Sequence, residues 1–116
     1  MALHVDPVWI AIGLLVVAWL ALTRLGKIRG ARARALVAAG ATLVDVRSEA
    51  EYASGHLEGA VNMPVDRLQA RAAALAAEKR PVVVYCASGM RSASAKRILR
   101  AAGVAEVHDL GAMSRW

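Results

Sequence analysis

Val82-Val83-Val84-Tyr85-Cys86-Ala87-Ser88-Gly89-Met90-Arg91-Ser92 is the stretch on which the fold and chemistry of this 116-residue chain turn. Val82 to Tyr85 is a β-branched apolar run, the pattern of a strand buried on both faces of a parallel sheet. It leads directly into Cys86, the single cysteine, then a short loop containing Gly89, then a helical pattern from Arg91 to Ala102. In that pattern Ala95, Ile98, Leu99 and Ala102 fall on one inner side. A strand end, a tight loop and a helix start aim backbone N–H groups and the positive end of the helix at the first loop residue. Those groups favour negative charge there, and the thiolate, not the thiol, is the nucleophilic form of cysteine.

Outward from this stretch, strands and helices alternate. Ala31 to Ala39 reads as a helix stopped by Gly40, which suits the left-handed position after a helix end. Ala41 to Val46 reads as a strand with Asp45 near its carboxyl end, Ser48 to Ala53 as a short helix, and Gly55 to Gly59 as a turn-rich connection. Ala60 to Met63 reads as a short strand closed by Pro64. Asp66 suits the N-cap of a helix reaching Glu78, with Leu68, Ala72 and Leu75 on one face. Beyond Gly103, Glu106 to Leu110 is a last strand. The alternation implies an α/β domain with a parallel sheet and right-handed crossovers. Ligands of such sheets bind beyond the carboxyl ends of the strands, which is where Asp45 and Cys86 are expected.

The length allows one domain with a modest core. A lone cysteine excludes an internal disulfide, so a reducing compartment suits the chain. The net charge of +6 is not spread over a nucleic-acid-binding face. Arg24, Lys27, Arg29, Arg32 and Arg34 place five positive charges within eleven residues without an acid, whereas residues 35–116 carry ten basic and eight acidic residues. The excess is a local cluster beside an apolar segment, and no nucleic-acid partner is implied. His4, His56 and His108 with one cysteine give no metal-ligand spacing, and there is no Walker-type or dinucleotide fingerprint. Neither a metal nor a cofactor is implied.

That apolar segment is Val8 to Leu22, fifteen residues whose only polar atoms are the indole nitrogens of Trp9 and Trp19, with Thr23 extending it by one. As a helix it covers roughly 24 Å, short of the ~30 Å hydrocarbon core. Leu3, Val5 and Leu25 extend its apolar length, Trp9 suits the interfacial belt, the arginines can snorkel, and local thinning accommodates the rest. A signal peptide requires a positive n-region, and residues 1–7 contain no lysine or arginine. A buried core helix would normally show a polar face, and this run has none. The remaining reading is a membrane anchor through residues 8–23, with the basic cluster placing the N-terminus outside and the rest in the cytoplasm. Residues 1–30 are then an anchor with a basic juxtamembrane linker, Gly26 to Gly30, and residues 31–116 the folded domain.

Within that domain, Asp45-Val46-Arg47, Glu51-Tyr52, Gly55-His56-Leu57, Gly59-Ala60, Asn62 and Pro64 resemble the amino-terminal signature of the rhodanese family of sulfurtransferases. Cys86 to Ser92 resembles that family's active-site loop, and Leu110-Gly111-Ala112 through Trp116 its closing element. The resemblance covers residues 45–116 and implies a small rhodanese-like α/β domain with a central parallel sheet flanked by helices, preceded here by one transmembrane helix. Ala112 stands where the family often has a second glycine, a change that asks for a different backbone angle there. Members specialised for thiosulfate often carry basic residues directly after the cysteine, whereas Ala87 and Ser88 are neutral. Four residues separate Cys86 from Arg91; related phosphatases and arsenate reductases need five, because a tetrahedral oxyanion requires a wider ring of donors.

The resemblance implies that Cys86 takes sulfane sulfur from thiosulfate or a persulfide donor and passes it to a thiol, cyanide or protein acceptor, by covalent catalysis in two half-reactions. N–H groups from Ala87 through Ser88, Gly89, Met90 and Arg91 to Ser92 would hold the developing charge. Arg91 either supports that charge at the pocket rim or pairs with an acid; Ser92 either donates to the persulfide or satisfies the first helical turn. Met90 either sets pocket polarity or packs. Asp45 is expected to accept loop N–H bonds, Arg47 and Glu51 to form a helix-turn ion pair, and His56 to serve the scaffold. The alternative function is a non-catalytic, membrane-tethered interaction module. The sequence sets no oligomeric state.

Overall fold

The computed structural model describes residues 4–116, with all side chains except those of residues 23 and 24. Helix α1 (Pro7–Arg24) starts where the chain supplies both N-terminal signals. Pro7 occupies the first turn, and the Asp6 carboxylate accepts the Val8 N–H at 3.1 Å. The side chains of residues 7–22 are exposed. The expected transmembrane helix is not supported: among the described residues no helix is long and apolar enough to cross a membrane. Leu3, expected to lengthen the apolar run, and the snorkelling side chain of Arg24 lie outside the description.

After α1 the chain forms α2 (Gly30–Ala38), β1 (Thr42–Asp45), α3 (Glu49–Ala53), β2 (Val61–Asn62), a 3₁₀ turn (Val65–Arg67), α4 (Leu68–Ala77), β3 (Val82–Cys86), α5 (Met90–Ala101), β4 (Val107–Ala112) and a closing 3₁₀ turn (Met113–Arg115). The four strands make one parallel sheet in the order β2-β1-β3-β4. One face, carrying Val44, Val46, Val82, Val84 and Cys86, packs on Leu68, Ala72 and Leu75 of α4 and on Ala95 and Leu99 of α5. The other, carrying Leu43, Val83, Tyr85 and Leu110, packs on Ala33 of α2, with Tyr52, Met113 and Trp116 around it. The chain leaves β1 toward β2 and returns to β3 on the other side, so the order reverses between β1 and β3. That switch is where open parallel sheets place their sites, and the two strands end in Asp45 and Cys86.

Local chemistry explains where elements differ from expectation. Pro64 fixes the chain into a 3₁₀ turn, closed by the Arg67 N–H donating to the Pro64 carbonyl at 2.9 Å, so α4 begins at Leu68 and Asp66 lies within that turn rather than at an N-cap. β4 carries a bulge: Val84 pairs with Asp109 but Tyr85 pairs with Gly111, whose φ of +85° only glycine adopts without strain. Ala112 needs no special angle, being extended at φ −69° and ψ 140°. The stretch read as a linker is docked. Lys27 bridges Asp109 of β4 in parallel, and the Ile28 N–H donates to the Asp109 carbonyl at 2.8 Å.

Candidate active site at the end of strand β3

Cys86 is fully buried at the last position of β3. Its Sγ accepts the Gly89 N–H at 2.9 Å and the Ser92 N–H at 3.4 Å. The loop closes that tightly because Gly89 sits at φ +98°, turning the chain into α5 as its N-cap residue. The Ser92 hydroxyl donates to the Gly89 carbonyl at 3.1 Å, satisfying the first turn of α5 rather than the sulfur. α5 has no acidic residue in its first turn, so the positive end of its dipole is uncompensated beside the sulfur. Ala87, Ser88 and Met90 form the exposed rim, with Met90 77% exposed and not packed.

Arg91 faces Glu51 of α3. The guanidinium donates to both carboxylate oxygens, at 2.6 and 3.0 Å, the bidentate geometry that makes arginine–carboxylate pairs directional. Glu51 also accepts the Ser48 N–H at 3.2 Å, closing a capping box at the start of α3. Arg91 first, and the Ser48 backbone second, hold the Glu51 carboxyl down at about 2. The same carboxylate raises Arg91.

Glu51 is therefore Arg91's partner, which corrects the expected Arg47–Glu51 pair. Arg47 precedes the N-cap Ser48 and lies outside α3, so helical spacing does not apply to it. Its guanidinium, 6% exposed, donates to Asp45 at 2.7 Å and to the Gly55 carbonyl at 2.7 Å, and lies 5.9 Å from the centre of the Tyr85 ring. The Asp45 bond raises Arg47 further. Asp45 takes the Arg47 N–H and guanidinium, not the loop N–H groups expected of it. Asn62 donates to the carbonyls of Asp45 and Arg47 at 3.1 and 3.0 Å, and the Tyr85 hydroxyl accepts the Leu57 N–H. Burial, then Asp45, pushes the Tyr85 phenol well up. Asp45 and Arg47 thus form a buried frame under the 55–62 segment. His56 stacks on Tyr52 at 3.7 Å, and its Nδ1 donates to the Tyr52 carbonyl.

Two residues near the loop, Lys27 and Asp109, have no place in the site read from the sequence. Lys27 donates to the Gly89 carbonyl at 2.8 Å and to Asp109 at 2.5 Å, its side chain only 8% exposed. An acid inside the apolar strand Val107–Ala112 was a usable signal for Asp109; nothing near Lys27 in sequence marks its burial. A separate surface hollow lined by Leu75, Lys79, Pro81, Val104 and Glu106 contains none of these groups.

A buried thiol on a parallel-strand end that accepts two N–H groups at a helix start is an arrangement able to hold a negatively charged sulfur. The rhodanese-like domain model matches residues 30–116, and the chain belongs to that family. It is 38% identical over 77 residues to the uncharacterized protein YqhL of Bacillus subtilis, covering 66% of this chain and 60% of that one. To thiosulfate sulfurtransferase GlpE of Pseudomonas fluorescens it is 39% identical over 89 residues, covering 72% of this chain and 77% of that one. The human single-domain sulfurtransferase TSTD1 superposes with a TM-score of 0.64 at 28% identity, over 78% of this chain and 91% of that one.

Proposed function

We propose that the protein is a sulfurtransferase that carries sulfane sulfur as a persulfide on Cys86. The observation that carries this reading is the pair of N–H bonds from Gly89 and Ser92 to a buried Sγ. The Cys86 thiolate attacks the outer sulfur of the donor. A Cys86 S–S bond forms, the donor's own bond to that sulfur breaks, and sulfite or a thiolate leaves with the electron pair. An acceptor nucleophile, a thiol, cyanide or a protein cysteine, then attacks the outer sulfur of the persulfide and returns Cys86 as thiolate. The N–H groups around Sγ stabilise the anion at each stage. Ala87, Ser88 and Met90 bring no charge to the mouth, and Glu51 already neutralises Arg91. That favours a persulfide donor over the dianion thiosulfate, although similar proteins are named for thiosulfate.

Incubation with a persulfide donor adds one sulfur mass to Cys86 by mass spectrometry, and Cys86→Ser takes up none. Failure of every donor to add that mass, or its persistence in Cys86→Ser, sinks the reading.

The location belongs to the same proposal. α1, too short to cross a bilayer of full thickness, inserts as a single pass only where the bilayer thins around it, its N-terminus outside and the Cys86 domain on the cytoplasmic side. Support comes from fifteen uncharged residues in an exposed helix, followed by a basic cluster.

A further inference from the structure

Lys27 lies 62 residues before the loop it touches. It follows α1 through Gly26, at φ +76°, and its ammonium passes under the active-site loop to the Gly89 carbonyl. That carbonyl accepts three donors: Lys27 Nζ at 2.8 Å, the Ser92 hydroxyl at 3.1 Å and the Ala93 N–H at 3.3 Å. A trans peptide is planar, so holding the Gly89 C=O fixes the opposite direction of the Met90 N–H in the same unit. Gly89 itself supplies the shorter of the two bonds to Cys86. The lysine stem packs closely enough that a Cβ on Gly111 would meet it at 3.3 Å, and one on Gly89 at 3.5 Å. Asp109 holds the other side of the ammonium while its Oδ1 accepts the Gly111 N–H at 2.8 Å.

From this arrangement we infer that Lys27 is a positioning residue for the reaction of Cys86, setting the loop peptides through the Gly89 carbonyl and bringing a buried cation to the loop. Its effect on sulfur transfer rests on the proposed function; its effect on the thiol does not. The competing role is that of a counterion, with Lys27 present only to neutralise Asp109. A buried charge left alone is costly, so Lys27→Met by itself confounds the two. The double variant K27M/D109N separates them: methionine keeps an unbranched apolar stem, and asparagine keeps an acceptor for the Gly111 N–H.

In the full-length double variant, iodoacetamide alkylation of Cys86 at fixed pH slows about tenfold, less than the loss of a direct anion donor because Lys27 acts at one remove. kcat for sulfur transfer falls by about the same factor while KM for the donor stays within about twofold. Wild-type alkylation and kcat in a folded double variant would falsify the assignment. If the double variant does not fold, Lys27→Arg carries the test: it keeps a cation for Asp109, so a mere counterion leaves alkylation within about twofold of wild type, whereas the larger planar head does not repeat the Lys27–Gly89 contact and slows it about fivefold; wild-type alkylation in this variant overturns the inference. Alkylation needs no sulfur donor. A wild type that alkylates normally but never forms a persulfide refutes the transfer reading alone.

Discussion

Glu51 joins two requirements in one carboxylate: it closes the capping box of α3 and holds Arg91 at the mouth of the Cys86 loop. Its pKa falls from an ordinary 4.5 to about 2, with Arg91 the largest cause. A depressed carboxyl stabilises the fold fully above the unfolded value and loses that contribution as pH falls through the folded one. The Glu51→Gln variant should therefore melt below wild type at neutral pH, with the difference shrinking between pH 4.5 and about 2. Thermal melts across that window check it, and a gap independent of pH would rule it out. At this scale the sequence was partly readable. Cys86 and its loop follow from one contiguous run, because a strand end and a helix start are both local signals. The partner of Arg91 was not readable, since Glu51 lies 40 residues away and only the folded chain brings the two side chains together.

Among the elements, the order of strands and helices was legible because each carries its own hydrophobic period. What escaped were features set by contacts between distant segments: the bulge at Gly111, and the docking of residues 27–30, where composition alone suggests a free basic linker. Gly30 shows the difference. It opens α2, and a Cβ there would lie 2.0 Å from the Arg115 carbonyl oxygen and 3.0 Å from Trp116. The backbone of the closing turn, with Arg115 donating to the Ile28 carbonyl at 2.9 Å, sits directly on the helix start. Gly30→Ala should destabilise the domain by about 2 kcal/mol through overpacking, although alanine favours helix by about 1 kcal/mol elsewhere. Denaturant unfolding gives the sign: a stabilised variant would mean that the closing turn yields without cost.

For the molecule as a whole, shape separates two parts. The Cα radius of gyration is 17.4 Å and the long axis 65 Å, against about 13 Å expected for the radius of a compact chain of this length. Helix α1 is the exposed part, with Leu14 65%, Leu15 70% and Val17 64% exposed, so its apolar residues contribute little to folding and are available to lipid. That gives a test in which location and stability move independently. Leu15→Asp places a charge mid-helix at a cost of about 3 kcal/mol in a bilayer, more than a hundredfold in partition. A surface substitution away from the core changes folding by about 0.5 kcal/mol or less. The wild-type chain should float with liposomes and resist alkaline carbonate extraction, while Leu15→Asp should stay in the soluble fraction with an unchanged melting transition. Wild-type protein recovered from the carbonate supernatant removes the membrane attachment, and a lower melting point in Leu15→Asp would instead mean that α1 packs as part of the fold.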